Sequence, residues 1–243
     1  MHPLDNPAWH ALTQLQQHLG AGNELARHYH ADISPIAAVA DPARPECWAA
    51  LAELMAPGQT VGIFHPGSQA PPTGWEAEWR YSFAQMSCTR TSFRAPVRGA
   101  NAAPVRALTL ADGAAMVALA RLTRPGPMEE RTVTMGAYLG VFDSDGTLLA
   151  MAGERMRLDG MVEVSGVCTH PEQRGRGYAQ MLVALATERI VERGATAFLH
   201  VRDGNREAAG VYEKLGYSVR KIFDIASLSK PTAAIARADC LLL

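Results

Sequence analysis

The chain has 243 residues, 48% of them hydrophobic and 19% charged, with a formal net charge of −1. That composition fits a globular chain able to build a real core, as one large domain or two small ones. It argues against a general nucleic-acid binder, and no apolar run approaches the roughly 20 residues of a membrane span. No basic and apolar leader opens the sequence, so no secretory signal is expected. Four cysteines, Cys47, Cys88, Cys168 and Cys240, lack metal-type spacing and read as reduced thiols of a cytoplasmic protein. The early histidines, His28 and His30 among them, have no cysteine or acidic cluster beside them, so no metal is expected.

Residues 8–19 carry Trp9, Leu12, Leu15 and Leu19 at helical spacing, with Gly20 and Gly22 as the stop. The proline-punctuated stretch from Arg27 to Pro45 is expected to be irregular. Cys47 to Met55 reads as a short helix closed by Pro57-Gly58. Thr60 to Phe64 reads as a buried strand, and Trp75 to Met86 as one or two strands. Arg98 to Pro104 is the best linker candidate. The expected division is therefore 1–103, 104–230 and a tail over 231–243.

The second part is more regular. Val105 to Leu110 is a strand, and Asp112 is a good N-cap for a helix to about Arg121. Gly136 to Phe142 and Leu148 to Met156 form a hairpin around Asp143–Gly146, and the turn at Asp159-Gly160 leads into a strand over 161–169. A helix over 175–193 and a strand over 197–201 complete a βαβ unit. A helix over 205–215 and a last strand over 218–228 follow.

The most informative residues lie between strand 161–169 and the next helix: Arg174-Gly175-Arg176-Gly177-Tyr178-Ala179. A strand, a glycine-rich turn and a helix N-terminus make an anion site. First-turn N–H groups point outward, the helix dipole favours negative charge, and glycines admit close approach of a diphosphate. Arg174 and Arg176 add charge. A P-loop needs a Gly-Lys pair that this chain lacks, and Gln180 breaks the dinucleotide fingerprint.

The remaining pattern, R/Q-x-x-G-x-G/A, is filled by Arg174, Gly177 and Ala179, and resembles the acyl-CoA pyrophosphate loop of the GNAT N-acyltransferase superfamily. The wider stretch from Val164 to Ala179 is similar to its FR47-like branch, related to glycine N-acyltransferases. A second block agrees: Asn205, Ala208, Tyr212, Gly216 and Tyr217 fill the superfamily's later N-x-x-A-x-x-x-Y-x-x-x-G-F/Y segment. The resemblance covers about residues 104–228. It implies an α/β (α+β) fold with a mixed, mostly antiparallel sheet flanked by helices. Two central strands, 161–169 and 197–201, would splay apart around acyl-CoA. Relatives often carry a degenerate GNAT-like N-terminal half, which would give residues 1–103 their fold.

The resemblance implies an N-acetyltransferase moving an acetyl group from acetyl-CoA to a primary amine without a covalent intermediate. A small amine or amino acid is the favoured acceptor. The alternative is a non-catalytic acyl-CoA-binding module with a regulatory N-terminal half. The reaction needs a base for the amine, a donor for the oxyanion and an acid for the thiolate. Glu163 occupies the position of the general-base glutamate in the histone-acetyltransferase branch. Strand alternation would place it on one face with Ser165, Val167 and Thr169. Tyr212 matches the tyrosine beside the thioester sulfur. Val167, Cys168 and Thr169 would offer backbone groups to the pantetheine arm. Gly175, Tyr178 and the rest of the loop would hold the diphosphate, and Asn205 would bond the arm or cap its helix.

Overall fold

The computed structural model describes residues 2–66, 73–96 and 104–229. A small antiparallel sheet comes first, from β1 (Gly20–Gly22), β2 (Ala26–Tyr29) and β3 (Ala37–Val39). An eight-stranded sheet contains the rest: β4 (Thr60–Pro66), β5 (Glu76–Cys88), β6 (Val105–Ala107), β7 (Tyr138–Phe142), β8 (Leu148–Leu158), β9 (Met161–Thr169), β10 (Thr196–Arg202) and β11 (Ser218–Ser229). Its order is β4-β11-β5-β10-β9-β8-β7-β6, and every pair is antiparallel except β9 with β10. The mixed, mostly antiparallel α/β expectation holds.

The helices are α1 (Pro7–Thr13), α2 (Pro45–Leu54), α3 (Gly113–Thr123), α4 (Tyr178–Glu192) and α5 (Arg206–Lys214). On one face of the large sheet, Leu182, Val183, Ala186 and Ile190 of α4 pack on Val162 and Val164 of β9 and Leu199 of β10. On the other face, Ala8 and Leu12 of α1 meet Phe198 and Phe223, and Met116 and Leu119 of α3 meet Tyr138 and Met151. Burial of these apolar stripes against the sheet is what fixes the helices in place.

Several sequence expectations are corrected. The first helix stops at Thr13 rather than running to residue 19, and Leu15 is 51% exposed. The reason is Gln16, which turns inward. Its amide nitrogen donates to the carbonyls of Met135 (2.8 Å) and Arg155 (2.7 Å), and its oxygen accepts from the Tyr29 hydroxyl (2.6 Å). A helix through this point would leave those buried groups unpaired, at a cost of about 1–3 kcal/mol each. The stretch expected to be irregular holds β2 and β3, because its prolines fall outside them: Pro35 lies between the two strands, Pro42 follows β3 and Pro45 opens α2. Asp112 precedes α3 but does not cap it: its carboxylate accepts from the Thr109 backbone and pairs with Arg106 instead. The expected linker falls mostly outside the described residues, as do the tail and Cys240.

The first hundred residues do not build a separate layer. β5 sits between β10 and β11, and β11 sits between β5 and β4. Each part of the chain thus lends a strand to the other. The two parts also share a local plan. In one, β3 leads through residues 40–44 into α2 and then β4, which joins the preceding strand region by a parallel bridge, Ile36 to Gly62. In the other, β9 leads through residues 170–177 into α4 and then the parallel β10.

Candidate active site

β9 and β10 pair only at Thr196–Met161, Ala197–Val162 and Phe198–Glu163. Beyond that they separate, while β9 stays joined to β8 and β10 to β5. The edges of β9 and β10 that face each other therefore carry backbone donors and acceptors with no ladder partner, open to a ligand in the gap. A bulge sharpens the divergence. Between the pairs Gly153–Ser165 and Met151–Cys168, β9 holds one residue more than β8. Gly166 supplies it, at φ +64°. A side chain there would strain the backbone and would also stand 3.0 Å from the Tyr138 ring and 3.1 Å from the Met128 methyl.

At the open end of β9 the chain turns through Pro171–Gln173 into the glycine loop. Gly175 (φ +77°) and Gly177 (φ +78°) both take the left-handed conformation, with no atom within 4 Å of a Cβ placed on either. Gly177 is the N-cap of α4 and uses no side chain for the purpose. Among the described residues, the N–H groups of Gly177, Tyr178, Ala179 and Gln180 find no acceptor. Arg174 and Arg176 are exposed and have no carboxylate partner there. The four orphan donors of a helix start, its dipole and two arginines converge on one small volume, which suits a diphosphate.

The base of the gap is occupied by Glu163. Its carboxylate is 1% exposed and takes two hydrogen bonds from Arg155, both 2.7 Å. His200 Nδ1 donates a third at 2.9 Å. Burial alone would raise the pKa of this carboxyl, but the Arg155 charge and hydrogen bonds outweigh it, with help from His200, and hold it well below the usual carboxylate range. The Gln85 amide nitrogen lies 3.0 Å from His200 Nε2 and also donates to the Leu4 carbonyl, while its oxygen accepts from Arg220. Gln85 therefore presents a donor to Nε2, which leaves His200 neutral with its proton on Nδ1. Burial lowers the His200 pKa, in the same sense.

The FR47-like protein family model matches residues 138–223. A GNAT-family structure from Novosphingobium aromaticivorans is similar over the full length, with 35% identity and a TM-score of 0.82, covering 96% of this chain and 100% of that one. The chain belongs to the GNAT family. A GCN5-related N-acetyltransferase from Kribbella flavida shares the fold at 20% identity, with a TM-score of 0.62, over 95% of this chain and 97% of that one. An acetyltransferase of Yersinia pestis (strain Pestoides F) is 36% identical over 52 residues, 21% of this chain; the match spans 37% of that relative's length.

Within this GNAT framework the expected site residues fare differently. The loop residues Arg174 to Ala179 stand together at the α4 start. Val167 and Thr169 are half-buried on the diverging part of β9. The expected single face of Glu163, Ser165, Val167 and Thr169 is broken by the bulge. Val167 packs with the α4 core, whereas Glu163 points to the opposite face. Glu163 is brought to the gap but sealed in an ion pair, so the general-base reading loses its physical basis: a base needs a reachable, modestly acidic carboxyl. Cys168 faces α3, and burial pushes its thiol up to about 11, against hydrogen bonds involving Thr123 and Met151, which makes it a poor nucleophile. Asn205 caps α5, its side-chain oxygen accepting from Ala208 N at 3.2 Å. Tyr212 lies in the core beside Tyr217, ring centroids 6.0 Å apart, and its hydroxyl has no partner among the described residues. Burial pushes its phenol up to about 12, so it stays a proton donor.

Sequence reasoning missed the partners of Glu163, Arg155 and His200, and Gln85 behind His200, since they come from three other strands. It also passed over Gly166, although a lone glycine inside a strand pattern is a bulge signal. Glu129 was a further omission. It is half-buried, burial raises its pKa against the pull of Arg121, and it follows Met128, whose methyl reaches the Gly166 bulge. Among the described residues no group of three or more potential metal ligands occurs, and no helix is long and apolar enough to cross a membrane.

Proposed function

We propose that the protein is an acetyl-CoA-dependent N-acetyltransferase acting on a small primary amine or amino acid by direct transfer. The observation that carries this reading is the pairing of two features: a splayed β9/β10 gap and, at its open end, an α4 N-terminus with two left-handed glycines and with N–H groups and two arginines that have no partner among the described residues. The diphosphate would rest on residues 174–179. The pantetheine arm would run along the free edge of β9 at Val167, Cys168 and Thr169. Backbone donors on that edge would stabilise the oxyanion.

In this reading the amine nitrogen attacks the thioester carbonyl carbon, the C–S bond breaks, and Tyr212 gives its proton to the departing thiolate. Glu129, with its raised pKa and no ion pair among the described residues, takes the proton from the amine. Glu163 acts through structure: together with Arg155 and His200 it pins β8, β9 and β10 where the last two diverge. The first part of the chain is a degenerate GNAT-like half that has kept the plan and lost the anion site.

The direct test is mass-spectrometric detection of N-acetylated product from an amine panel with acetyl-CoA and the full chain, beside calorimetry of acetyl-CoA binding. Turnover with micromolar or millimolar affinity supports the reading. Binding without turnover across the panel favours a non-catalytic acyl-CoA module, and no binding removes both.

A further inference from the structure

Among the exposed large apolar side chains of the described residues, two aromatic ones stack on each other. Trp79 is 39% exposed and Tyr81 42% exposed, and their rings stack at 5.5 Å with 24° between planes. The Arg202 guanidinium lies over the Tyr81 ring, 3.7 Å from its centroid. Arg202 is exposed and has no carboxylate partner among the described residues. The nearby acids are otherwise engaged. Asp203 accepts from the Gly204 N–H, and Glu78, the extra residue of a bulge beside Trp79 on β5, accepts from the Ser227 hydroxyl. An aromatic pair ending in a free guanidinium is the kind of surface that recognises planar and anionic groups.

Its place in the fold gives it a use. Phe198, His200 and Arg202 alternate onto one face of β10, the face on which His200 meets Glu163. Phe83 pairs with Arg202, and Tyr81 and Trp79 continue its face along β5, past the end of β10. Counting from the last pair, Phe198 with Glu163, and allowing for the extra residue at Gly166, Arg202 stands level with about Cys168 across the opened gap. The row Arg202–Tyr81–Trp79 therefore borders the mouth of the gap on the side away from α4, opposite the strand segment assigned to the thioester.

We propose that Trp79, Tyr81 and Arg202 form the acceptor subsite, and that the acceptor is an aromatic amine bearing a carboxylate, of which an aromatic α-amino acid is the simplest case. This rests on the acetyltransferase reading above. The rings take the aromatic group, Arg202 takes the carboxylate, and the adjacent amine is presented to the gap.

The test compares phenylalanine, phenethylamine and alanine as acceptors at saturating acetyl-CoA, with the full chain. The ring should be worth at least ~10-fold in kcat/KM (phenylalanine over alanine), and the carboxylate about as much (phenylalanine over phenethylamine), as a charge-assisted contact allows. Trp79→Ala should collapse the first ratio towards one, and Arg202→Gln the second, each through KM. All three residues are exposed, so the variants should fold. A binding arm needs no turnover: phenylalanine titrated in the presence of CoA should quench tryptophan fluorescence in the wild type and not in Trp79→Phe. Acetylation with neither ratio above about two, or no quenching, overturns the subsite and leaves the acetyltransferase reading standing. Failure of acetyl-CoA itself to bind would instead remove the parent reading.

Discussion

The starts of α2 and α4 occupy equivalent places in the two parts of the chain, and their chemistry is opposite. Both follow a strand, and each is followed by a strand that meets the preceding region in parallel, by one isolated bridge, Ile36 to Gly62, after α2 and by three pairs after α4. At α4 the donors are left free and glycines keep the approach open. At α2 most of them are absent or taken. Pro45 has no N–H, Asp41 takes the N–H of Ala43 with its side chain and that of Arg44 with its carbonyl, and Arg44 accepts from Cys47. Arg44 is engaged by Glu46 at 2.6 Å, which also puts a negative charge in the first turn. Trp48 donates to the Pro42 carbonyl and helps fill the space above the helix start. The same backbone plan thus leaves a helix start open, as the proposed anion site, or closes it as a structural corner, depending on a handful of side chains.

The largest expected effect concerns what the two parts share. Glu163→Gln leaves the buried Arg155 without its counter-charge and should cost about 3–5 kcal/mol of stability, read by urea unfolding. Because the Glu163 pKa is lowered in the fold, its contribution is present above the ordinary value of 4.5 and is lost as pH falls below it. The lowered His200 pKa adds loss beginning near 6.5, where an unfolded histidine takes a proton that the folded one refuses. Wild-type stability should therefore decline from about pH 6.5 downward, and Glu163→Gln should flatten the lower part of that decline. A variant with unchanged stability and a collapsed kcat would restore Glu163 as the base.

Next comes the loop itself. Gly177→Asp places a carboxylate beside the free N–H groups, with no atom within 4 Å to clash and some strain at φ +78°, a conformation aspartate tolerates better than most residues, and should weaken CoA by about 2–4 kcal/mol in calorimetry while the fold survives. Tyr212→Phe should lower kcat by ~10-fold, about 1.4 kcal/mol, with little change in acetyl-CoA affinity. That loss should shrink for a donor with a more acidic thiol; equal losses for both donors would remove the acid role. The smallest effect belongs to the other loop. Asp41→Ala removes a turn-type hydrogen bond, worth about 1 kcal/mol or less, and should leave the CoA affinity where it was.

Much of the second part was legible because its signals are local. Glycines at 175 and 177, the cap at Asn205 and the alternation in β7 to β10 all act within a few residues of where they stand. The first part hid β2 and β3, since strands of four and three residues carry too little alternation to outweigh nearby prolines. The exchange of β5 and β11 was not readable either, because pairing partners more than a hundred residues apart leave no periodic trace. Glu163 shows the limit at the site. Its residue type and position suit a base, and only its ion pair with Arg155 and hydrogen bond with His200, on two other strands, favour the anchor role proposed for it.

The central claim is that one of two equivalent helix starts binds acyl-CoA. Calorimetric titration of the full chain with acetyl-CoA tests it most directly. A single site per chain, lost in Gly177→Asp and kept in Asp41→Ala, is the predicted result. Two sites per chain, or full binding by a folded Gly177→Asp, would contradict it.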